Sequence, residues 1–243
     1  MSALEFASCP ICSEAARLYD VVDFNKSCVD PSARQSGLSG IPIYYHQCEN
    51  CHFLFSQECY AWSREEFAKN VYNSDYILFD PDFASSRPLA NAQLVEQMYG
   101  NQKSGITHLD FGGGVGILSK SLRDLGWTTS SYDPYFHDQT LPKNTSVDLI
   151  TAFEVFEHSN TISDLCKTLS ALLKPKGAIL FSTLLSDGKV LDGERLSWWY
   201  AAPRNGHISL FSKKSLELLA IKFDFKFVTY NENFHCFYRD GMA

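Results

Sequence analysis

Three groups of residues in this chain have types and spacings that could do chemistry. The first is His108-Leu109-Asp110-Phe111-Gly112-Gly113-Gly114-Val115-Gly116-Ile117-Leu118, an apolar run that carries a carboxylate into a glycine-rich turn. Gly112, Gly114 and Gly116 let backbone approach a ligand where a Cβ would clash, and the free N–H groups of a following helix would face that ligand. A second carboxylate, Asp133, closes another strand-like run, Trp127 to Tyr132, where it can accept hydrogen bonds from both hydroxyls of a ribose. The glycine spacing departs from Gly-x-Gly-x-x-Gly, which makes NAD or FAD the poorer nucleoside ligand.

The second group is Cys9-Pro10-Ile11-Cys12 with Cys48-Glu49-Asn50-Cys51. Each pair puts two thiols on one tight turn, and two such turns complete a closed tetrahedral zinc site of the structural kind. The competing reading is two disulfides, which a cytosolic chain disfavours. His46 and His52 stand by as spare ligands, whereas Cys28, Cys59, Cys166 and Cys236 show no pairing and read as ordinary thiols. Before Tyr60 this segment carries Arg17, Lys26 and Arg34 against seven acids, Glu5, Glu14, Asp20, Asp23, Asp30, Glu49 and Glu58, so it does not look like a nucleic-acid-binding ribbon.

The third group is Glu154, Glu157 and His158, two carboxylates and an imidazole within one turn after the apolar run 147–153, with a distant His207 in Arg204-Asn205-Gly206-His207. These residues could hold a divalent ion, or one histidine could act as a general base, or they could be structural. Trp198-Trp199-Tyr200 precedes His207 and reads either as a loop over an acceptor or as an aromatic cluster closing the core.

Positioning these groups requires an alternation of strands and helices. Strands are expected at 106–111, 127–132 and 147–153, and a helix from Ile117 to Gly126. Further helices are expected over 62–72, with Ser63 and Glu66 as a capping box, over 89–99 ending at Gly100, and over 212–221. Residues 223–229 and 234–238 alternate as a hairpin across Asn231-Glu232-Asn233, and 30–40 reads as a loop before a strand at 41–48.

The sequence Leu109 to Gly116 matches, position by position, the pattern apolar-apolar-acid-apolar-Gly-x-Gly-x-Gly and resembles the S-adenosylmethionine-dependent methyltransferases with a Rossmann-like fold. Residues 147–158 resemble that family's fourth strand and following turn, and 172–182 its next helix, turn and fifth strand. The resemblance implies an α/β fold: a Rossmann-like sheet with helices on both faces and a C-terminal antiparallel hairpin, plus a small N-terminal β-rich zinc ribbon. It divides the chain into a ribbon at 1–60, a helical bridge or lid at 61–104 and a methyltransferase domain at 105–243. It implies S-adenosylmethionine as cofactor, held by Asp110, Gly112, Gly114, Gly116, Asp133, Phe153, Glu154 and Tyr76. The 14 residues 134–147 are too few for the family's usual helix and third strand, so the adenine partner stays open between Leu141 and the Asp138-Gln139 region.

A ribbon followed by Tyr72-x-x-Asp75-Tyr76 resembles bacterial sugar C-methyltransferases, over the front two-thirds of those longer proteins. Glu154, Glu157, His158 and His207 resemble the divalent-metal site of small-RNA 2′-O-methyltransferases and of ubiquinone-pathway O-methyltransferases, which implies Mg²⁺. The expected activity is methylation of a small molecule (a saccharide, nucleotide sugar or secondary metabolite), with O-methylation ahead of C- or N-methylation. The alternatives are a non-catalytic scaffold and a nucleic-acid 2′-O-methyltransferase. A net charge of −7, from 21 basic and 28 acidic residues, counts against nucleic acid as partner. The 45% apolar content supports a core, while the lack of any long apolar run or basic leader makes a cytoplasmic chain without membrane contact the expectation. Oligomeric state is left open by the sequence.

Overall fold

The computed structural model describes residues 5–135, 141 and 146–240, so Asp138 and Gln139 lie outside it. Two sheets organise the chain. The first is antiparallel and built from β1 (Phe6–Ser8), β2 (Ala15–Asp23), β3 (Pro42–Cys48) and β4 (Leu54–Ser56), in that order. Its fifth strand is β9 (Ser209–Leu210), supplied from far along the sequence and paired with β4 through Leu54↔Leu210 and Phe55↔Ser209. The N-terminal cysteine segment is therefore completed by residues from the other end of the chain.

The second sheet has six strands in the order β10 (Lys226–Thr229), β11 (Phe234–Tyr238), β8 (Leu173–Ser182), β7 (Val147–Phe153), β5 (Thr107–Phe111) and β6 (Thr128–Tyr132). The four from β8 to β6 are parallel, and the C-terminal hairpin is antiparallel, as its alternation implies. Strand β7 is apolar on both faces because both are covered. Leu149 and Leu180 face a layer with α4 (Ser86–Tyr99) and α5 (Ile117–Asp124), which bury Val95 and Leu122 there. Ile150, Ile179 and Phe237 face the layer of α6 (Ile162–Leu172) and α7 (Lys213–Lys222), which add Leu169, Leu216 and Leu219. The cysteine knuckles bury Cys9, Cys48 and Cys51 in that same second layer, so ribbon and sheet share a core.

Several local expectations hold. Ser63 and Glu66 form a reciprocal capping box on α2 (Arg64–Asn70), and Ser212 caps α7 by accepting from Ser215 N–H. Residues 174–177 differ from the expected turn: they bulge out inside β8, because Val147 pairs with Leu173 while Leu149 pairs with Ala178. Three short helical turns complete the frame, α1 (Gln57–Tyr60), α3 (Tyr76–Phe79) and a 3₁₀ turn at Phe156–His158.

Phe156 anchors that turn. It is fully buried, stacked on Phe181 with ring centroids 4.3 Å apart, and in edge contact with Phe211 and Phe237. Replacing it with Ala should cost about 3–5 kcal/mol of unfolding free energy in urea titration, because the surrounding rings cannot close the void. A loss below about 1 kcal/mol would mean the ring is not a core element.

Candidate functional site

The chain leaves β5 for the edge strand β6 and then returns to β7 on the other side of β5, so the loops after β5 and β7 diverge. A crevice at the carboxyl ends of the strands is the consequence. A cavity of about 820 Å³ occupies it. Gly112, Gly113 and Gly114 of the turn, but not Gly116, line it with Asp133, Phe153, Glu154 and His158, as do Tyr72 and Tyr76 from the bridge and Leu141.

The turn is tight for identifiable reasons. Gly116 has φ 79° and opens α5 in a left-handed conformation that a Cβ would resist. Gly113, which sequence reasoning passed over, has the more crowded position. A Cβ there would lie 2.3 Å from Asp110 Oδ2 and 2.4 Å from Ser131 Oγ, both buried polar atoms with no partner. The turn thus rests directly on the Asp110 carboxyl.

Asp110 is almost fully buried, and burial pushes its carboxyl up to about 7, with Thr151 pulling the other way and Asp133 adding to the rise. Its Oδ1 accepts from Thr151 Oγ1 at 2.9 Å. Behind Thr151 lie His108 Nε2 at 3.0 Å and, from His108 Nδ1, Thr129 Oγ1 at 2.6 Å. Since Thr151 spends its one hydrogen on Asp110, His108 must donate to Thr151 from Nε2 and accept from Thr129 at Nδ1. Three strands thereby aim one chain of donors at a single carboxyl. Asp133 accepts from Gly114 N–H (2.9 Å) and Tyr135 N–H (2.8 Å), while burial raises its pKa. A carboxylate has about four acceptor positions, so two remain for hydroxyls.

The bridge forms the opposite wall. Tyr72 and Tyr76 meet edge to face at 5.2 Å, and Tyr72 packs on Tyr135 at 4.5 Å. Arg87 grips Asp80 with two bonds, Nη1 to Oδ2 at 2.9 Å and Nη2 to Oδ1 at 2.6 Å, and both residues line the cavity. Arg204 is buried: it donates to the carbonyls of Asn70 and Val71 and lies 4.0 Å over the Phe79 ring. No local sequence pattern marks Arg87 or Arg204 for these tasks, because their partners come from other elements.

The third group is only partly assembled. His158 lines the cavity, and His207 packs behind it with ring centroids 4.8 Å apart, so the two do not flank a pocket. Glu157 is fully buried beside them, its Oε1 accepting from the Tyr200 hydroxyl at 2.5 Å. Donor atoms of Glu157, His158 and His207 lie within 4.8 Å of one another. Glu154 stands apart: its backbone is left-handed (φ 54°), and Oε1 accepts from Ser182 Oγ at 2.7 Å. Two imidazoles and one buried carboxyl are a poor set for Mg²⁺, which prefers oxygen ligands and keeps several waters. The four-residue magnesium arrangement expected from sequence is therefore absent. Burial, then the Arg87 charge, holds His158 down at about 3, and burial raises Glu157 well above the usual carboxylate range, so this cluster is neutral. Trp198 and Tyr200 belong to a buried cluster under the first sheet and do not line the cavity, because Lys26 Nζ donates to the carbonyls of Trp198 (2.6 Å) and Ala201 and draws that loop inward.

The four knuckle cysteines converge without His46 or His52. The sulfurs of Cys9 and Cys51 are 3.6 Å apart, Cys12 and Cys48 3.5 Å, Cys12 and Cys51 3.7 Å. A tetrahedron with Zn–S of about 2.3 Å has edges of about 3.8 Å, so the donor set and its spacing fit zinc. Ser13 and His52, each following a knuckle, take left-handed backbones that close the two turns.

The family described as a methyltransferase domain matches residues 83–230. No curated protein matches the chain. Among solved structures, the 1,6-didemethyltoxoflavin-N1-methyltransferase of Burkholderia thailandensis, bound to 1,6-didemethyltoxoflavin and S-adenosylhomocysteine, superposes with a TM-score of 0.51 at 13% identity, covering 79% of this chain and 98% of that one. A SAM-dependent methyltransferase of Thermotoga maritima gives 0.45 at 14% identity over 72% and 98%. The N-methyltransferase NodS of Bradyrhizobium japonicum, with S-adenosyl-L-homocysteine, gives 0.42 at 14% over 73% and 98%.

Asp110 makes stability depend on pH. Its folded pKa of about 7 exceeds the ordinary 3.8, so the folded chain holds a proton that the unfolded chain gives up between those values. Stability from this group is full below pH 4 and is lost as pH rises to 7, on the order of 4 kcal/mol in all. Urea titrations across that range should show the decline in the unliganded wild type and lose it in Asp110→Asn. Equal slopes in the two proteins would refute the assignment.

Proposed function

We propose, from the premise that the chain belongs to the methyltransferase domain family, that it moves a methyl group from S-adenosylmethionine to a hydroxyl of a small molecule. The observation that carries this reading is the Asp110 carboxyl, buried beneath the glycine turn with Oδ2 unpartnered at a cavity that Asp133 also lines. S-adenosylmethionine, when bound, supplies the electrophilic methyl on a sulfonium. Asp110 suits its ammonium group, and the two remaining acceptor positions of Asp133 suit its ribose hydroxyls. Tyr76, Phe153 and Glu154, with the backbone of Gly112 and Gly114, complete the contacts.

The acceptor lies toward Glu154, His158 and the paired tyrosines. In-line displacement asks chiefly for alignment. His158, held neutral, accepts a hydrogen bond from the acceptor hydroxyl and orients it, while Glu154 is the second acceptor and takes the hydroxyl proton as the oxygen gains the methyl group, passing it on to solvent. A hydroxyl matches an imidazole and a carboxyl in the cavity wall that can each take its hydrogen, which favours O-methylation, with a saccharide, nucleotide sugar or secondary metabolite as acceptor. Glu157 and His207 support the His158 ring from behind. Because His158 stays neutral down to about pH 3, its protonation puts no inflection into turnover between pH 5 and 8.

Calorimetry with S-adenosylmethionine, followed by incubation of the methyl-labelled cofactor with panels of saccharides and phenols, tests the reading. Wild type should bind, and Asp133→Ala should weaken binding by about 1–3 kcal/mol, the cost of leaving the hydroxyls unpaired. No binding by wild type would sink the proposal.

Zinc is the second element of this reading, held by Cys9, Cys12, Cys48 and Cys51. Elemental analysis should find one zinc per chain. Cys12→Ser should lose it and destabilise the first sheet, since binding energy at such a site is folding energy. A metal-free but folded wild type would remove zinc from the account.

A further inference from the structure

Residues 207–212 have partners on two sides. Toward the cavity, Ile208 N–H donates to the Glu157 carbonyl at 3.0 Å, and Ser209 Oγ donates to the Ser159 carbonyl at 2.7 Å. These two bonds hold the 156–159 turn that carries His158 and Ser159 into the cavity wall. Toward the first sheet, Tyr45 OH donates to the His207 carbonyl at 2.6 Å, Ser56 N–H donates to the Ile208 carbonyl at 3.0 Å, and β9 pairs with β4. Tyr60 OH lies 2.6 Å from Ser209 Oγ. The Ser209 hydrogen is committed to Ser159, so Tyr60 is the donor, and a relay of two hydrogen bonds runs from α1 through β9 to the wall. One turn further, Ser212 Oγ donates to the Cys51 carbonyl at 2.5 Å, within a knuckle.

The cofactor side is held by other means. Gly112 N–H donates to the Tyr132 carbonyl at 2.7 Å and Gly114 N–H to Asp133, so the turn is fixed by β5 and β6. The cofactor turn is therefore held within the second sheet alone, whereas the acceptor wall is held by both sheets, through Phe156 on Phe181 and through β9.

We infer that the cysteine-bearing sheet clamps the acceptor wall, with Tyr60 and Ser209 as positioning residues for His158 and Ser159, so that metal loading of the knuckles sets the order of residues 155–160 and leaves the cofactor turn untouched. The clamp extends the functional reading above, and its metal dependence rests on the zinc assignment. Tyr45 and Ser209 are fully buried and Ser212 nearly so, hence water cannot replace the lost bonds when one partner is removed.

Amide hydrogen exchange by mass spectrometry on the full chain tests this, alongside calorimetry with S-adenosylmethionine. In Tyr60→Phe and in Ser209→Ala, residues 155–160 should exchange about tenfold faster, whereas 110–116 stay unchanged and cofactor Kd moves by less than about threefold. Stripping the metal with a chelator should reproduce this pattern in wild type. A merely structural role would loosen both segments together and weaken cofactor binding in step, and that result overturns the clamp. So does unchanged exchange at 155–160 in both variants. If the purified chain carries no metal, the zinc assignment and the metal dependence fail while the two variants still decide the clamp. If wild type does not bind S-adenosylmethionine, the functional reading fails and the contrast in exchange still decides it.

Discussion

The reversal of strand order at β5 is the constraint on which this molecule depends. The chain runs from β5 outward to β6 and then returns across to β7, and the diverging loops leave a crevice that packing cannot fill. A ligand crevice of this kind needs backbone, not side chains, on its floor, which is why glycines line the turn after β5. It also needs a hydrogen-bond acceptor at the bottom, which Asp110 supplies at the expense of a carboxyl held largely out of water. The chain of hydrogen bonds from Thr129 through His108 and Thr151 keeps that carboxyl oriented.

Around this centre the molecule divides its labour. The parallel sheet presents acids and backbone to one half of the cavity, while the bridge and the residues after β7 present aromatics and a neutral imidazole to the other. The second half lies in the loops beyond the strand ends. Its order comes from buried hydrogen bonds and stacked rings, among them Phe156 on Phe181 and Arg204 on Phe79. Such contacts depend on residues far apart in sequence, so this half assembles late in any order of folding that begins with local contacts.

The parts of the site carried by local pattern were legible in the sequence. The glycine turn, Asp133 at the end of a strand, the Ser63–Glu66 capping box and the paired cysteines each encode geometry within a few residues. The parts that failed were long-range. Nothing near Arg204 in sequence reveals Phe79 and the carbonyls of Asn70 and Val71 as its partners. Trp198 and Tyr200 read either as a loop over the acceptor or as a core cluster, and the choice of the core rests on the pull of Lys26, which spans some 170 positions. Glu154 looked like a partner of Glu157 at helical spacing, but a left-handed residue breaks the periodicity at that point. Gly113 was missed for a different reason: its constraint comes from Asp110 and Ser131 beneath it, not from the turn itself.

The short link between Asp133 and β7 has an effect beyond the cavity. Among the described residues β6 is the last strand of its sheet, so its outer row of backbone groups is open to pairing with another chain. Four of its five residues are Thr or Ser, and Arg123 donates to the Thr129 carbonyl at 3.4 Å. A five-residue edge dressed with hydroxyls, with a guanidinium across one carbonyl, is a poor template for intermolecular strand addition. Among the described residues the sheet ends at β6, on an edge whose side chains discourage continuation.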